Sequence, residues 1–288
     1  GGGVPGCTTA VTAARLGLKD ALIQDRPVLG GNSSSEVRVW IGGGFCLPPY
    51  PAIGEVVREM FTRPKVCPGP AVAYGDDLKM KVVKAEENVS LLLWEHVDRV
   101  EMDGKRIKAV GATHVLTGRK SRFAGRWFVD CTGDATVGTL AGADYEMTEK
   151  GHMGSSNMWY LEETEKPAPF PRCPWALDLA DKPFPTELNR LGKWFWESGF
   201  DRDTIGEAEA IRDHNFRAMY GAWDCLKNVK SLYPNHRLAW AAFISGKRES
   251  RRLLGDVVLT GEDVLSGKEF PDGCVASTWS IDLHYPNP

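Results

Sequence analysis

The sequence lacks three features that would each point to a distinct class of protein. Its seven cysteines are scattered without a C-x-x-C pair and its six histidines form no H-E-x-x-H pattern, so we expect no bound metal and no disulfide framework. No apolar run approaches the roughly 20 residues that cross a bilayer. Lys and Arg number 35 against 38 Asp and Glu, a net charge of -3, which is not the basic footprint of a nucleic-acid-binding protein.

What remains is the composition of a globular protein, with 288 residues, 42% apolar and 25% charged. The length suggests about two domains, and the unpaired cysteines fit a reducing compartment, which predicts the cytoplasm. The chain starts at Gly1 within a loop motif that should follow a strand. We therefore expect a fragment that lacks this first strand, and a signal peptide stays an open alternative because the segment that would carry it is missing.

The first six residues form a G-x-G-x-x-G motif at Gly1, Gly3 and Gly6. A helix pattern and then a short apolar strand over 18–24 follow, and Asp25 stands where an acid can accept hydrogen bonds from a ribose. The glycines permit a tight turn and a close approach of a pyrophosphate to the helix N-terminus. The motif predicts dinucleotide binding, with a purely structural glycine turn as the alternative.

Further along the chain, the pattern of apolar residues predicts helices and strands up to about residue 150 and a different organisation after it. We expect helices over 53–61 and 76–88, a strand over 89–94, and an antiparallel meander over 97–130 whose last strand is Arg126–Asp130. After residue 150 comes a proline-rich stretch over 165–185. Two helices should follow, Thr186–Ser198 and Thr204–Val229, the second opened by a capping box of Thr204 and Glu207.

Two further motifs carry a resemblance to a known family. A glycine pair follows the ribose acid in Asp25-Arg26-Pro27-Val28-Leu29-Gly30-Gly31, and Val129-Asp130-Cys131-Thr132-Gly133-Asp134-Ala135 ends the meander in a small-residue turn. The sequence resembles FAD-dependent oxidoreductases of the glutathione-reductase-like superfamily. It is most similar to a bacterial subgroup distantly related to the flavoprotein subunit of heterodisulfide reductase, over 24–42, 131–144 and 248–286.

The resemblance implies the fold and its organisation. The expected class is α/β, a Rossmann-like FAD-binding domain with a parallel sheet and an inserted antiparallel meander, plus a largely helical cap region. The FAD-binding domain would cover 1–149, the cap or substrate region 150–247, and a return to the FAD-binding domain 248–288. The first strand of the sheet would be missing, and the flavin-closing segment with which related flavoproteins finish is not present before Pro288. We therefore expect this chain alone to bind FAD poorly.

The resemblance also implies which residues hold FAD. Each of these residues would contact the pyrophosphate, the ribose, the ribityl chain or the adenine of FAD, or would let the backbone pass close to the cofactor. They are Gly1, Gly3, Gly6, Asp25, Arg26, Gly30, Gly31, Asn32, Ser33, Val97, Gly133 and Asp134. Asp134 has an alternative role as the N-cap of the next helix. The chain departs from the disulfide reductases in having no cysteine pair near the flavin, and from heterodisulfide reductase in having no iron–sulfur cysteine clusters, so neither chemistry is expected.

Three residues are candidates for substrate chemistry. Arg38 could anchor an anionic or polyol substrate, or form a salt bridge to Glu36 instead. Arg248 belongs to the charge run 247–252, which is otherwise typical of a solvated face. His284 is the candidate general base, oriented by Asp282 on the same side of a strand, with a structural histidine as the alternative.

The resulting hypothesis is hydride transfer between a small polar substrate, such as a sugar or hydroxy acid, and FAD, with an unknown electron acceptor. The main alternative is a non-catalytic flavin- or nucleotide-binding interaction protein, and a nicotinamide-only dehydrogenase is the third. The ten tryptophans allow either a sugar-stacking platform or core packing. Six of them lie in the middle region, namely Trp159, Trp175, Trp194, Trp196, Trp223 and Trp240.

Overall fold

The structure is a computed structural model that describes residues 1–192, 196–276 and 278–284. The α-helices are α1 (Val4–Arg15), α2 (Glu55–Met60), α3 (Asp76–Ala85), α4 (Thr136–Leu140), α5 (Ala208–Asp224) and α6 (Gly261–Leu265). The strands are β1 (Asp20–Ile23), β2 (Val89–Leu92), β3 (Glu95–Asp103), β4 (Arg106–His114), β5 (Lys120–Ala124), β6 (Tyr145–Glu146), β7 (Ser155–Ser156), β8 (Trp159–Glu163), β9 (Glu197–Ser198), β10 (His236–Ala241) and β11 (Arg252–Leu253).

Helix α1 forms directly behind the glycine-rich loop. Gly3 is its N-cap in an extended conformation, and a proline stands in the first turn, where its missing N–H costs nothing. Small and apolar residues on one face, Cys7, Ala10, Val11 and Ala14, are buried against β1, α2 and α3. The helix ends before Gly17, whose φ of 86° suits a residue without a side chain.

The parallel part of the sheet consists of β1 and β2, paired from Asp20 with Val89 to Ile23 with Leu92. A parallel bridge between Gly3 and Gly30 joins the glycine-rich loop to the same layer. The predicted strand over Arg126–Asp130 is wrong, because these residues form no strand in the structure. The side chains of Trp127 and Val129 are exposed there, as expected for a segment with no strand beside it among the described residues. The described residues therefore have an α/β fold, in which β1 and β2 form the parallel part of a Rossmann-like sheet.

The antiparallel meander is confirmed over β3, β4 and β5, in that spatial order. Glu95 pairs with His114 and Asp103 with Arg106 around the predicted turn, where Gly104 has a φ of 59°. Alternating side chains and a tight turn are local signals, which explains why the sequence predicts this hairpin well.

Residues 150–247 are mixed rather than largely helical, which corrects the expected helical character of this region. Two antiparallel pairs, β7 with β9 and β8 with β10, accompany one long helix, α5, which continues into a π-helical turn over Cys225–Val229. The predicted helix Thr186–Ser198 is wrong, because 186–192 form turns and a bend and Glu197–Ser198 pair with Ser155–Ser156. Residues 193–195 lie outside the described residues.

The predicted capping box of α5 is also wrong. The helix begins at Ala208, and the hydroxyl of Thr204 donates to the backbone carbonyl of Glu249 at 3.0 Å. Asp203 takes over the local role, since its carboxylate accepts from the N–H of Ile205 at 2.8 Å. A long-range contact has therefore displaced the local one that the sequence suggested.

A hydrophobic core lies between α5 and the β8–β10 pair. Trp159 and Trp223 are buried with ring centroids 6.2 Å apart, edge to face, so for these two tryptophans core packing is confirmed. Trp175 is exposed, and Trp194 lies outside the described residues. No helix in the described part of the chain has both the length and the apolar character needed to cross a membrane.

Candidate cofactor site and the adjoining ionic cluster

A cleft of about 1080 Å³ opens beside the N-terminus of α1, slightly larger than the roughly 300–1,000 Å³ that ligand pockets usually span. Its walls are the glycine-rich loop, the segment after β1, the start of β3, the loop after the meander, and the segment 244–252. Of the residues predicted for the cofactor or substrate, it is lined by Gly1, Gly3, Asp25, Arg26, Gly30, Gly31, Asn32, Ser33, Val97, Gly133, Asp134 and Arg248. Gly6, Arg38 and His284 are not part of its lining.

The glycine-rich loop is held by short hydrogen bonds to neighbouring segments. Gly2 donates its N–H to the side-chain carbonyl of Gln24 at 2.6 Å, and its own carbonyl accepts from the N–H of Gly30 at 2.8 Å. Sequence reasoning missed Gln24, although its position directly after β1 and before Asp25 was a usable signal. The loop is thus fixed in place with the N-terminus of α1 at the cleft, where its dipole favours negative charge.

Gly3 and Gly6 have different structural roles. A Cβ on Gly3 would meet only Pro5 Cδ at 3.7 Å and Gly31 Cα at 4.0 Å, which are ordinary contacts. A Cβ on Gly6 would lie 1.8 Å from the carbonyl oxygen of Gly1. Gly3 therefore leaves space in the cleft, whereas Gly6 lets α1 pack against the loop.

The glycine pair after β1 lies above a buried lysine. Gly30 and Gly31 have φ values of 113° and 58°, which favour glycine. A Cβ on Gly30 would lie 2.8 Å from Cε of Lys79, whose ammonium donates to Asp76 at 2.9 Å and to the carbonyl of Tyr74 at 2.5 Å. Nothing in the sequence around Lys79 marks it as the support of this turn.

The predicted ribose end of the cleft carries a half-exposed carboxylate. Asp25 Oδ2 lies 3.6 Å from Nδ1 of His96, and Arg26 lies 3.2 Å from Glu36. Because Glu36 pairs with Arg26, it is not the partner of Arg38 that the sequence suggested. Burial is the main cause of the raised pKa of Glu36, with Arg26 acting in the opposite direction.

The loop after the meander is held by Asp130. Its carboxylate accepts from the N–H of Thr132 at 3.0 Å and the N–H of Gly138 at 2.9 Å. Burial by itself raises the pKa of Asp130, but these hydrogen bonds outweigh it and hold the pKa below its usual value. The N-cap of α4 is Ala135, and no side chain caps it there, so the alternative role of Asp134 as an N-cap is wrong. The Asp134 carboxylate instead pairs with the ammonium of Lys247.

An ionic cluster adjoins the cleft through Arg248. Glu197 on β9 accepts from Arg248 Nε at 2.8 Å and lies 3.0 Å from His284 Nδ1. Asp282 lies 3.1 Å from His284 Nε2 and 4.0 Å from Arg248 Nη1. Ser156 adds a hydroxyl donor to Glu197 at 3.0 Å.

The sequence singled out Arg248, and separately His284 with Asp282, as candidates, but it did not place Arg248 beside them and it missed Glu197. Glu197 lies about fifty residues away from Arg248 in a segment predicted to be helical, so no local pattern pointed to it. The structure also places Asp282 and His284 outside any strand, which differs from the expected strand in this segment.

Arg38 is buried away from the cleft, with a positive φ of 66°. Its guanidinium donates to the carbonyls of Ser35 and Gly69, both at 3.0 Å, and stacks 3.7 Å above the ring of Trp240. Burial lowers the pKa of Arg38 from its usual value. These contacts connect the loop after the glycine pair to β10.

The residues present fit a dinucleotide. A side chain on Gly3 or Gly133 would reach into the cleft, because a Cβ on Gly3 would make only ordinary contacts and a Cβ on Gly133 would have nothing within 4 Å. Helix α1 directs its N-terminus into the same cleft. Gly1, Gly3, Gly30 and Gly31 would hold the pyrophosphate, and Asp25 the ribose. Within residues 1–192, 196–276 and 278–284, no group of three or more His, Cys, Asp or Glu could hold a metal ion.

A glycine-rich turn at a helix N-terminus, bonded to the end of a parallel strand that is followed by an acid, defines an α/β dinucleotide-binding protein. The family model described as FAD dependent oxidoreductase matches residues 1–189 and 182–288. The chain belongs to this family, and its cofactor is FAD.

A solved structure shows a more distant likeness. The crystal structure of the flavin-dependent monooxygenase PieE in complex with FAD and substrate is 16% identical over 57% of this chain, with a TM-score of 0.35. The alignment covers 34% of that protein, so this chain spans about a third of its length. No curated protein matches the chain.

Proposed function

We propose that the protein transfers hydride between a small polar substrate, such as a sugar or hydroxy acid, and FAD. The observation that carries this proposal is the cluster of Arg248, Glu197 and His284 beside the cleft. It joins a cation that lines the cleft to an imidazole within hydrogen-bond reach of a carboxylate. A cation and an imidazole are the groups needed to bind a substrate oxygen and to accept its proton.

The chemistry balances as an alcohol oxidation. FAD, when bound, accepts the hydride, which is two electrons and one proton from the carbon that carries the hydroxyl group. The hydroxyl proton passes to His284 as the carbonyl bond forms, and Arg248 binds the substrate oxygen or a neighbouring carboxylate. An electron acceptor of unknown identity must then reoxidise the flavin.

Glu197 is proposed as the residue that positions His284. Its side chain is only 11% exposed, whereas that of Asp282 is 51% exposed. Glu197 therefore fixes the Nδ1 side of the ring, and a substrate hydroxyl takes the place of Asp282 at Nε2. This differs from the sequence hypothesis, in which Asp282 orients the ring.

The test is the rate at which substrate bleaches the visible absorbance of the flavin in the intact gene product, under anaerobic conditions. A panel of sugars and hydroxy acids first identifies a substrate. His284→Gln should then lower the bleaching rate by roughly 10²–10⁴-fold, the usual contribution of a general base, with unchanged flavin content. His214→Gln, an exposed position on α5, is the matched control.

Glu197→Gln separates positioning from simple support. A positioning role predicts a slower bleaching rate with an altered pH profile and an unchanged melting temperature. If neither His284→Gln nor Glu197→Gln slows bleaching, the cluster is not the catalytic group. If no substrate or reductant bleaches the flavin at all, the non-catalytic flavin-binding alternative is correct.

The finer expectations about this chain are also proposals. The kinship with the glutathione-reductase-like superfamily and the heterodisulfide reductase flavoprotein rests on the stretches 24–42, 131–144 and 248–286. The domain limits 1–149, 150–247 and 248–288 rest on the change of character after residue 150, and the cytoplasmic location on the scattered cysteines.

A further inference from the structure

The charged segment 247–251 connects two edges of the cleft. On one edge, Asn32 Nδ2 donates to the backbone carbonyl of Lys247 at 3.5 Å. On the other, the Lys247 ammonium pairs with the Asp134 carboxylate, Arg251 Nε donates to the Asp134 carbonyl at 2.8 Å, and Ser250 Oγ donates to the Gly133 carbonyl at 3.3 Å. The sequence presented this segment as a solvated charge run, but the structure makes it a wall of the cleft.

The two edges are those of the glycine-rich loop. Asn32 directly follows Gly31, and a Cβ on Gly31 would lie 3.1 Å from Gly3 Cα. Asp134 lies two residues after Thr132, whose Cα would be 2.9 Å from a Cβ on Gly1. The side chain of Lys247 therefore extends from the Gly31 edge to the Asp134 edge, beside the loop expected to hold the pyrophosphate.

The negative charges that would meet in this part of the cleft require a cation to balance them. The pyrophosphate of FAD brings two negative charges close to the carboxylates of Asp130 and Asp134, which also line the cleft. The Asp130 carboxylate is bound to backbone N–H groups, and the N-terminus of α1 supplies only a partial positive charge. An uncompensated Asp134 would repel the cofactor.

Two other cations of the segment, Arg248 and Arg252, are engaged with carboxylates elsewhere, and Arg251 donates to the backbone carbonyl of Asp134. Arg248 binds Glu197 at 2.8 Å and Arg252 binds Glu249 at 2.6 Å. The Lys247 side chain keeps 30% of its surface exposed, so its ammonium can reach a ligand in the cleft.

We propose that Lys247 is a cofactor-binding residue whose ammonium, held by Asp134, contacts the pyrophosphate of FAD. This inference rests on FAD as the cofactor and is independent of the proposed reaction. A segment that serves only as a structural strap, and a lysine that binds an anionic substrate, are the two other roles that this position allows.

The test compares FAD with riboflavin, which has the same ring and ribityl chain but no phosphate. Apoprotein of the intact gene product is titrated with each ligand by flavin fluorescence, at several salt concentrations. Lys247→Met should weaken FAD binding about 10- to 100-fold, the loss expected for a hydrogen bond to a charged group. It should leave riboflavin binding within about twofold and flatten the salt dependence of FAD binding, because a cation at the phosphate has been removed.

Two variants serve as controls. Lys105→Met, at the exposed turn between β3 and β4, should leave both affinities unchanged, and Lys247→Arg should retain most of the FAD affinity. Equal losses of FAD and riboflavin affinity would make the segment a structural strap and overturn the proposal. Unchanged FAD affinity would also overturn it, and a raised substrate KM in the same variant would then assign the lysine to the substrate.

Discussion

Replacing Gly6 with alanine tests whether the third glycine of the motif serves packing or the cofactor. The resemblance places Gly6 beside the pyrophosphate, but in the structure a Cβ there would lie 1.8 Å from the carbonyl oxygen of Gly1 and 3.3 Å from Cβ of Cys131. Real Cβ atoms essentially never approach another heavy atom to below 3.0 Å. Since the obstructing atom belongs to the backbone, α1 or the loop must move.

The expected loss of stability follows from two opposing terms. Overpacking a close contact costs about 1–3 kcal/mol, and a backbone obstacle places Gly6→Ala near the upper end. Alanine within a helix gains about 0.5–1 kcal/mol over glycine. The free energy of unfolding should therefore fall by about 2 kcal/mol, which lowers the melting temperature by roughly 3–4 °C for a protein of this size.

The assay is thermal unfolding of the intact gene product, followed by circular dichroism with and without FAD. Packing predicts that the apoprotein is destabilised as much as the holoprotein. The control is Gly261→Ala, at the start of α6, where nothing lies within 4 Å of a Cβ. If apoprotein carrying Gly6→Ala melts at the same temperature as this control, while only the FAD complex is weakened, the packing argument is refuted.

Three further changes test other parts of the site. Gly3→Ala should leave apoprotein stability nearly unchanged, since its Cβ makes only ordinary contacts. In a fluorescence titration it should weaken FAD binding at least about tenfold, and full affinity would mean that FAD does not approach Gly3. Arg38→Lys should lower the free energy of unfolding, measured by chemical denaturation, by about 2–3 kcal/mol, because hydrogen bonds to two carbonyls and the stacking on Trp240 are lost. The substrate KM should stay unchanged. A raised KM at unchanged stability would instead make Arg38 a substrate anchor. Asp130→Asn should cost about 1 kcal/mol at neutral pH, because the hydrogen bonds to the carboxylate lose their charge. The folded-state pKa of Asp130 lies below its usual value, so its contribution to stability is present above the usual pKa and is lost as the pH falls through the folded pKa. The variant and the parent should therefore converge in stability at acidic pH, below the folded pKa, and a constant difference would contradict this.

The parts of the fold that the sequence predicted are those set by neighbouring residues. Helix α1 follows from the glycine-rich loop, a proline in its first turn and an alanine-rich face, and the β3–β4 hairpin follows from alternation around a turn at Gly104. The predicted helix over 186–198 failed because β9 pairs with β7, some forty residues earlier. The predicted capping box at Thr204 is wrong because the hydroxyl of Thr204 donates to the backbone carbonyl of Glu249 instead.

The cofactor site divides in the same way. Of the predicted residues, the cleft is lined by Gly1, Gly3, Asp25, Gly30, Gly31, Gly133 and Asp134. Short motifs carry the backbone geometry that a pyrophosphate and a ribose require, and the roles of these residues toward FAD stay predictions. The partners that hold these residues were not predicted. Gln24, Lys79 and Glu197 each hold a segment that is distant in the sequence. Gln24 lies directly before Asp25, which was a usable signal, but nothing in the sequence around Lys79 or Glu197 marks them.

The sequence by itself determined the α/β class, the flavin family and most of the glycines that border the cleft, because glycine conformations and strand-to-helix turns are properties of a few consecutive residues. Only the tertiary structure decided how the charges are used. It buried Arg38 against Trp240, paired Lys247 with Asp134 and joined Arg248 to His284 through Glu197. A charged side chain takes the partner that folding brings within a few ångströms, and the order of residues along the chain does not specify that partner.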